Sequence, residues 1–98
     1  MKYDIYKPAY ILLGKYKYRT ESGIKINYKD FSFEFIALDE PFLFKIYKEA
    51  VNFDIIGCDG NTYILLHPCR LSQIDMALNQ TILCRGKFIS KGFFVDSD

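Results

Sequence analysis

The dipeptide Asp59-Gly60 limits the fold of this chain more than any other feature of its sequence. It lies between two apolar runs, residues 53–58 and 61–67. Asp-Gly is favoured in two-residue hairpin loops, whose backbone needs positive φ and matches the twist of the flanking strands. The sequence therefore predicts a tight β-hairpin with Cys58 opposite Asn61 and Ile55 opposite Ile64.

This register gives the two faces of the hairpin different chemistry, because side chains alternate between the faces of a strand. One face is apolar and carries Phe53, Ile55, Ile64 and Leu66. The other face is mixed and carries Asp54, Ile56, Cys58, Asn61, Tyr63, Leu65 and His67. We expect the apolar face to pack against a helix and the mixed face to meet solvent or a partner.

An amphipathic helix of about three turns is predicted directly before the hairpin. Asp39 suits its N-cap, because a carboxylate there accepts a hydrogen bond from a free N–H of the first turn. Pro41 suits that first turn, where a missing N–H costs nothing. The predicted buried stripe consists of Phe42, Leu43, Ile46, Tyr47, Ala50 and Val51.

The N-terminal third is predicted to be a three-strand meander made of residues 9–18, 24–28 and 31–35. Apolar and polar residues alternate along much of these runs, as they do in half-buried strands. A turn at Lys29-Asp30 would place Ile26 opposite Phe33, and a bulge or a bend in one long strand is the alternative. Since every strand connection is local, we expect a mostly antiparallel sheet.

After Pro68 the pattern predicts a second, short helix, followed by further short strands. Ser72 suits its N-cap, and Asp75 occupies the position from which a side chain reaches back to the cap. We expect this helix to end near Asn79. The predicted fold class is therefore α+β: a mostly antiparallel sheet, flat or curled into a half-barrel, packed by one amphipathic helix and one short helix.

Composition indicates a single compact domain spanning residues 1–98. Half of the residues are apolar and 17% are aromatic, which argues against a disordered chain. The bias towards Lys, Ile, Tyr and Phe is typical of AT-rich coding sequences and favours a microbial or viral source. The chain has no signal-peptide pattern, no apolar run of membrane-spanning length and no disulfide framework, so we expect a cytoplasmic protein.

The cysteines and the histidine are too widely spaced to predict a metal centre. No pair of cysteines has the C-x₂-C spacing of a zinc knuckle. The predicted hairpin also puts Cys58 about 20 Å from His67, at roughly 3.3 Å per strand residue. A nucleophile formed by Cys69 and His67, with Asp54 orienting the imidazole, is one enzymatic hypothesis. We predict no metal and no cofactor.

Charge is unevenly distributed along the chain, although the net charge is only +1. Residues 1–29 hold seven basic and two acidic side chains, whereas residues 30–60 hold two basic and seven acidic ones. The two segments either attract each other in the fold or form a functional dipole. The basic side chains expected near the open face of the meander are Lys15, Lys17, Arg19, Lys25 and Lys29. Such a face can follow a phosphate backbone, or it can simply keep a sheet soluble.

The sequence contains no motif for catalysis or phosphate binding, and it therefore favours a small, non-catalytic protein-binding domain. An inhibitor or immunity-like protein encoded by a phage or mobile element fits this description by association. The predicted contact surface on the mixed hairpin face consists of Asp54, Ile56, Tyr63 and Leu65, because exposed Tyr and aliphatic side chains suit interface cores. The same surface would suit a homodimer. Single-stranded nucleic-acid binding through the basic face is the second hypothesis and a Cys/His-dependent enzyme the third; no membrane partner is expected.

Overall fold

The computed structural model describes residues 3–95, and within them the chain forms eight strands and one helix. In chain order these are β1 (Asp4–Tyr6), β2 (Ala9–Leu13), β3 (Tyr16–Arg19), β4 (Ile24–Asn27), β5 (Ser32–Leu38), α1 (Pro41–Lys48), β6 (Phe53–Asp59), β7 (Thr62–Met76) and β8 (Thr81–Val95). All strands belong to one sheet, in the order β1-β4-β5-β8-β7-β6-β2-β3. Every neighbouring pair in this sheet is antiparallel.

The α+β prediction is wrong, because 65% of the described residues lie in strands and only 9% are helical. The second helix predicted from Ser72 does not form, since these residues belong to the 15-residue strand β7. The Ser72 hydroxyl donates to the carbonyl of Arg85 on β8 instead of capping a helix. A capping signal acts over four residues, whereas β7 pairs with β8 along almost its whole length, and the longer interaction determines the structure.

The residues of the turn between β7 and β8 explain why this long hairpin was not predicted from the sequence. Asn79 and Gln80 have φ values of 59° and 61°, which is the left-handed backbone that hairpin loops need at both central residues. The Thr81 N–H donates to the carbonyl of Leu78 at 3.3 Å and closes the turn. Glutamine is an unfavourable residue at such a position, so the dipeptide carries little hairpin signal.

Helix α1 forms where it was predicted, but it is shorter than three turns and its cap differs. It has eight residues, and Glu40 rather than Asp39 occupies the N-cap, without a side-chain capping bond. The Asp39 N–H instead donates to the carbonyl of Gln80 at 3.1 Å, which ties the start of the helix to the β7–β8 turn. Leu43 and Ile46 are the buried residues of the helix.

The Asp-Gly hairpin forms as β6 and β7, and its two faces are the predicted ones. The register is shifted by two residues from the predicted one, because Cys58 pairs with Tyr63 and not with Asn61. Asp59 pairs with Thr62, so Gly60 and Asn61 form the loop. Gly60 has a φ of 62° and so occupies the first central position of the turn, where glycine is favoured. An even shift of register keeps every side chain on its predicted face.

The N-terminal meander is partly wrong. The chain turns at Gly14 and Lys15, so the predicted long strand becomes the β2–β3 hairpin. Strand β4 pairs with β1 on one side and with β5 on the other, not with β3. The predicted pairing of Ile26 with Phe33 is confirmed.

The sheet curls around one hydrophobic core because β1 and β2 lie towards its two ends but are separated in sequence only by Lys7 and Pro8. Strand β1 pairs with β4, and β2 pairs with β6. The Lys7 N–H donates to the carbonyl of Cys58 at 2.9 Å, which fastens this crossing to β6. The largest fully buried side chains of the core are Ile11, Ile24, Ile26, Leu43, Ile55, Ile64, Leu66, Ile82, Cys69 and Cys84. In the described part of the chain, no helix is long and apolar enough to cross a membrane.

Candidate functional site

The outer surface of β3, β2, β6, β7 and β8 brings together the predicted hairpin residues and part of the predicted basic set. Residues that pair across antiparallel strands lie side by side on one face. The registers of these strands therefore define three transverse rows of side chains. We call this surface the outer hairpin face; its members are Lys17, Leu12, Asp54, His67 and Ser90 in the first row, Arg19, Tyr10, Ile56, Leu65 and Gly92 in the second, and Cys58, Tyr63 and Phe94 in the third.

Apolar and aromatic side chains occupy the middle of the outer hairpin face. Tyr10, Ile56 and Leu65 follow one another across three strands, and all three are half-buried. In the next row, the Tyr63 ring stacks on the Phe94 ring with centroids 5.3 Å apart and an interplanar angle of 12°. Phe94 is 47% exposed, so this pair presents aromatic surface to solvent.

Basic side chains border this apolar middle at its β3 end. The Lys17 Nζ lies 4.3 Å from the centroid of the Tyr10 ring, within the range of a cation–π contact. Arg19 pairs directly with Tyr10 and is exposed. The edge strand β3 therefore adds positive charge beside the aromatic and aliphatic residues.

Asp54 and His67 form an ion pair or hydrogen bond in the first row. The distance from Asp54 Oδ1 to His67 Nδ1 is 2.5 Å, and the His67 side chain is 62% exposed. The predicted hairpin places Asp54 diagonally across from His67, and in the structure the two side chains are in contact. A role of Asp54 in orienting the imidazole stays a prediction. A shallow depression of about 340 Å³ adjoins the pair and is lined by Leu12, Gly14 and Pro68, among others.

The five predicted basic residues do not form one continuous face. Lys15 lies in the β2–β3 turn, next to Lys17 and Arg19 on β3. Lys25 lies on β4, at the other end of the strand order, where it pairs with Ile5 and Glu34. Lys29 lies in the turn that follows β4. The prediction assumed that β3 and β4 are neighbours, and the pairing of β4 with β1 separates the two groups.

The Cys69–His67 pair of the enzymatic hypothesis is not assembled. Cys69 is fully buried, and its thiol donates to the carbonyl of Leu66 at 3.4 Å, while His67 faces outwards. Burial, with a smaller contribution from the Asp54 charge, raises the pKa of the Cys69 thiol, which opposes formation of a nucleophilic thiolate. Cys84 is likewise buried, and burial raises its pKa to about 12.

Residues 3–95 contain no group of three or more His, Cys, Asp or Glu side chains arranged to hold a metal ion. The residues that sequence reasoning missed are Tyr10 and Leu12 on β2 and Phe94 on β8. Tyr10 lies between the buried Ala9 and Ile11, which places it on an outer face but not beside the β6–β7 hairpin. Phe94 lies in an apolar run whose neighbours are exposed, so the pattern does not assign its face. Comparison of the chain with protein-family models, with curated proteins and with solved structures finds no match.

Proposed function

We propose that this protein is a protein-binding domain and that its contact surface is the outer hairpin face. The observation that supports this proposal is the run of half-buried Tyr10, Ile56 and Leu65 beside the exposed Tyr63–Phe94 stack. Interface centres are enriched in aromatic side chains and poor in charge, and a polar rim surrounds them. The outer hairpin face has this arrangement.

The charges around the outer hairpin face specify the chemistry of the partner. Lys17 and Arg19 are exposed at one border, and the Asp54 carboxylate of the first row is paired with His67. Among the described residues, no ion pair involves Lys17 or Arg19. Their positive charge is therefore available to a partner. A partner surface with an apolar centre flanked by Asp or Glu side chains would complement it and would associate faster at low salt.

An inhibitor or immunity-like protein works by covering a functional surface of its partner, and it needs no catalytic group of its own. The buried thiols of Cys69 and Cys84 agree with such a role, since they are not presented to a substrate. We therefore propose inhibition by occlusion as the mode of action of the outer hairpin face.

Single-stranded nucleic acid is the second candidate ligand. The contact of Lys17 with Tyr10 and the neighbouring Arg19 combine positive charge with an aromatic ring, and such combinations bind phosphates and stack on bases. Only the β3 part of the predicted basic set takes part in this arrangement. We rank it second because Ile56 and Leu65 offer neither charge nor a ring to a nucleotide.

Affinity capture with a matched pair of tyrosine variants tests the proposed function. Immobilised wild-type protein, Tyr63→Ala and Tyr47→Ala are incubated with nuclease-treated lysate of the source cells. Tyr47 is 41% exposed on α1, so its variant controls for the loss of an exposed tyrosine elsewhere. We expect one protein partner to bind the wild type and Tyr47→Ala, and to bind Tyr63→Ala about tenfold or more weakly, a loss of roughly 1.4 kcal/mol.

Equal retention of the partner by all three proteins would show that the outer hairpin face is not the contact surface. Capture from a parallel, untreated lysate that disappears with nuclease treatment would instead favour the second candidate. In that case Lys17→Glu and Arg19→Glu should abolish nucleic-acid binding, and Lys48→Glu on the exposed side of α1 should have little effect.

A further inference from the structure

The C-terminal half of β8 is an open edge of the sheet. Strand β5 pairs with β8 only from Thr81 to Lys87, and the Phe88 N–H makes one further bond, to the carbonyl of Phe31 at 2.9 Å. Strand β7 continues to pair with the other side of β8 as far as Val95. Among the strands described here, none pairs with the outward side of residues 89–95.

The hydrogen bonds of the neighbouring strands determine which main-chain groups face this opening. The N–H and C=O groups of Cys58 bond to Pro8 and Lys7, and therefore point away from β7. Alternation over residues 63–67 of β7 and 90–95 of β8 then directs Gly92 and Phe94 towards β7. The N–H and C=O groups of Lys91 and Phe93 consequently point to the open side.

The side chains of this edge are strongly apolar for an exposed strand. Ile89, Phe93 and Val95 are 73%, 55% and 67% exposed, respectively. Lys91 is the only charged residue between positions 89 and 95. Natural edge strands usually carry charge, proline or a bulge that prevents pairing, so an apolar edge with free main-chain groups favours addition of another strand.

We propose that the open edge of β8 pairs antiparallel with the same edge of a second copy of this chain. The two-fold axis would pass beside Gly92, which would lie opposite Gly92 of the second copy. Gly92 has no side chain, so two chains can approach closely at this non-hydrogen-bonded pair. Such a contact is isologous and closes after two copies.

The side chains of the edge complement themselves in this register. Ile89 would lie opposite Val95 of the second copy, and the small Ser90 opposite the large Phe94. Lys91 already lies over the Tyr28 and Phe31 rings of its own chain. In the dimer it would lie opposite Phe93, so the two lysines would avoid each other. This complementarity supports a second copy, rather than an unrelated strand, as the occupant.

Self-association of this kind does not depend on the proposed function. It uses main-chain groups at the edge of β8 and shares only Ser90, Gly92 and Phe94 with the outer hairpin face. Tyr10, Ile56 and Tyr63 of that face lie on β2, β6 and β7, away from the edge. Failure of the tyrosine variants to affect partner capture would leave the pairing of copies untouched, and a monomeric protein would leave the proposed function untouched.

Sedimentation of the whole protein over a wide concentration range tests the proposal, together with a charge exchange. Ile89→Lys and Val95→Glu are placed at exposed positions, so each should leave the monomer folded. We expect a reversible dimer of the wild type and a dissociation constant at least tenfold higher for Ile89→Lys. Combining both changes should restore the dimer, because the introduced lysine would face the introduced glutamate of the second copy. A monomer at every concentration, or a dimer unaffected by Ile89→Lys, would overturn the proposal.

Disulfide cross-linking tests the register itself. In a Cys58→Ser background, which removes the only half-exposed native thiol among the three cysteines, Gly92→Cys should form a covalent dimer on mild oxidation. Ile89→Cys should not, because two residues 89 would lie about 20 Å apart at roughly 3.4 Å per residue. Equal cross-linking by both variants, or none by Gly92→Cys, would contradict the pairing about Gly92.

Discussion

Gly57 of β6 lies against Tyr6, the last residue of β1, directly before the Lys7-Pro8 connection to β2. A Cβ added at Gly57 would lie 2.7 Å from the Tyr6 Cβ and 3.2 Å from Ile64 Cγ2, closer than carbon atoms pack. Tyr6 is buried, and its hydroxyl is 3.1 Å from that of Tyr28, so the ring has little freedom to move. The absence of a side chain at Gly57 therefore lets the curled sheet close over its core.

We predict that Gly57→Ala lowers the free energy of unfolding by about 1–3 kcal/mol, the usual cost of overpacking a core. Gly92→Ala is the matched comparison, since nothing lies within 4 Å of its added Cβ. It should raise stability by about 0.4–1 kcal/mol, because alanine loses less conformational entropy on folding than glycine. Urea unfolding of the two variants and the wild type measures both effects. Equal stability of Gly57→Ala and Gly92→Ala would mean that the Tyr6 side chain can move away from the added Cβ without a loss of free energy.

Among the strands, the long β7–β8 hairpin depends on a turn with unfavourable residues. Gln80 has a φ of 61°, and a residue with a side chain pays about 1–2 kcal/mol for this backbone. Glycine avoids that cost but loses more conformational entropy on folding. We predict that Gln80→Gly raises the free energy of unfolding by about 0.5–1 kcal/mol, measured by urea denaturation.

Asn79→Gly is the comparison for this turn, because Asn79 has a similar φ of 59° but asparagine tolerates left-handed backbone well. It should gain less stability than Gln80→Gly. A loss of stability in Gln80→Gly would indicate that the glutamine side chain makes a compensating contribution.

The strands were predicted correctly where their pairing depends on residues that are close together in the sequence. The alternation around Phe53 and Ile55 assigned the faces of the β6–β7 hairpin correctly, and the pairing of Ile26 with Phe33 follows from a local turn. The prediction failed at Ser72, where a helix-capping pattern lies inside a long strand, and at Asn79, which lies in the turn after that strand rather than at the end of a helix. The partner of that strand, β8, begins only after a turn that the sequence does not reveal.

The candidate site, too, could be predicted only where its residues are close together in the sequence. Asp54, Ile56, Tyr63 and Leu65 could be grouped in advance because one hairpin holds them. The addition of Tyr10 from β2 and Phe94 from β8 requires the strand order of the complete sheet. That order depends on the crossing at Lys7 and Pro8, a long-range contact that periodicity does not report.

Burial inside the curled sheet also determines how the molecule responds to alkaline pH. Burial raises the pKa of Cys84 to about 12, from an ordinary value of 9.0. It raises the pKa of Cys69 in the same direction. Burial raises the pKa of Tyr28 as well, and the hydrogen bond with Tyr6 adds to this shift.

A thiol with a higher pKa in the folded state keeps its proton after the unfolded thiol has lost its own. Its stabilising contribution is complete below the unfolded pKa near 9.0 and is lost progressively as pH rises towards the folded pKa. We therefore predict that the free energy of unfolding, measured by urea denaturation, is nearly constant up to about pH 8 and falls between about pH 9 and pH 12.

Cys84→Ala separates this titration from packing. The smaller side chain should lower stability at every pH by leaving a cavity, but it removes one thiol that the unfolded state can ionise. The decline of stability above about pH 9 should therefore be shallower in Cys84→Ala than in the wild type. Parallel curves over the whole range would mean that the Cys84 thiol reaches water in the folded state, and that the core enclosed by β5, β7 and β8 opens at high pH.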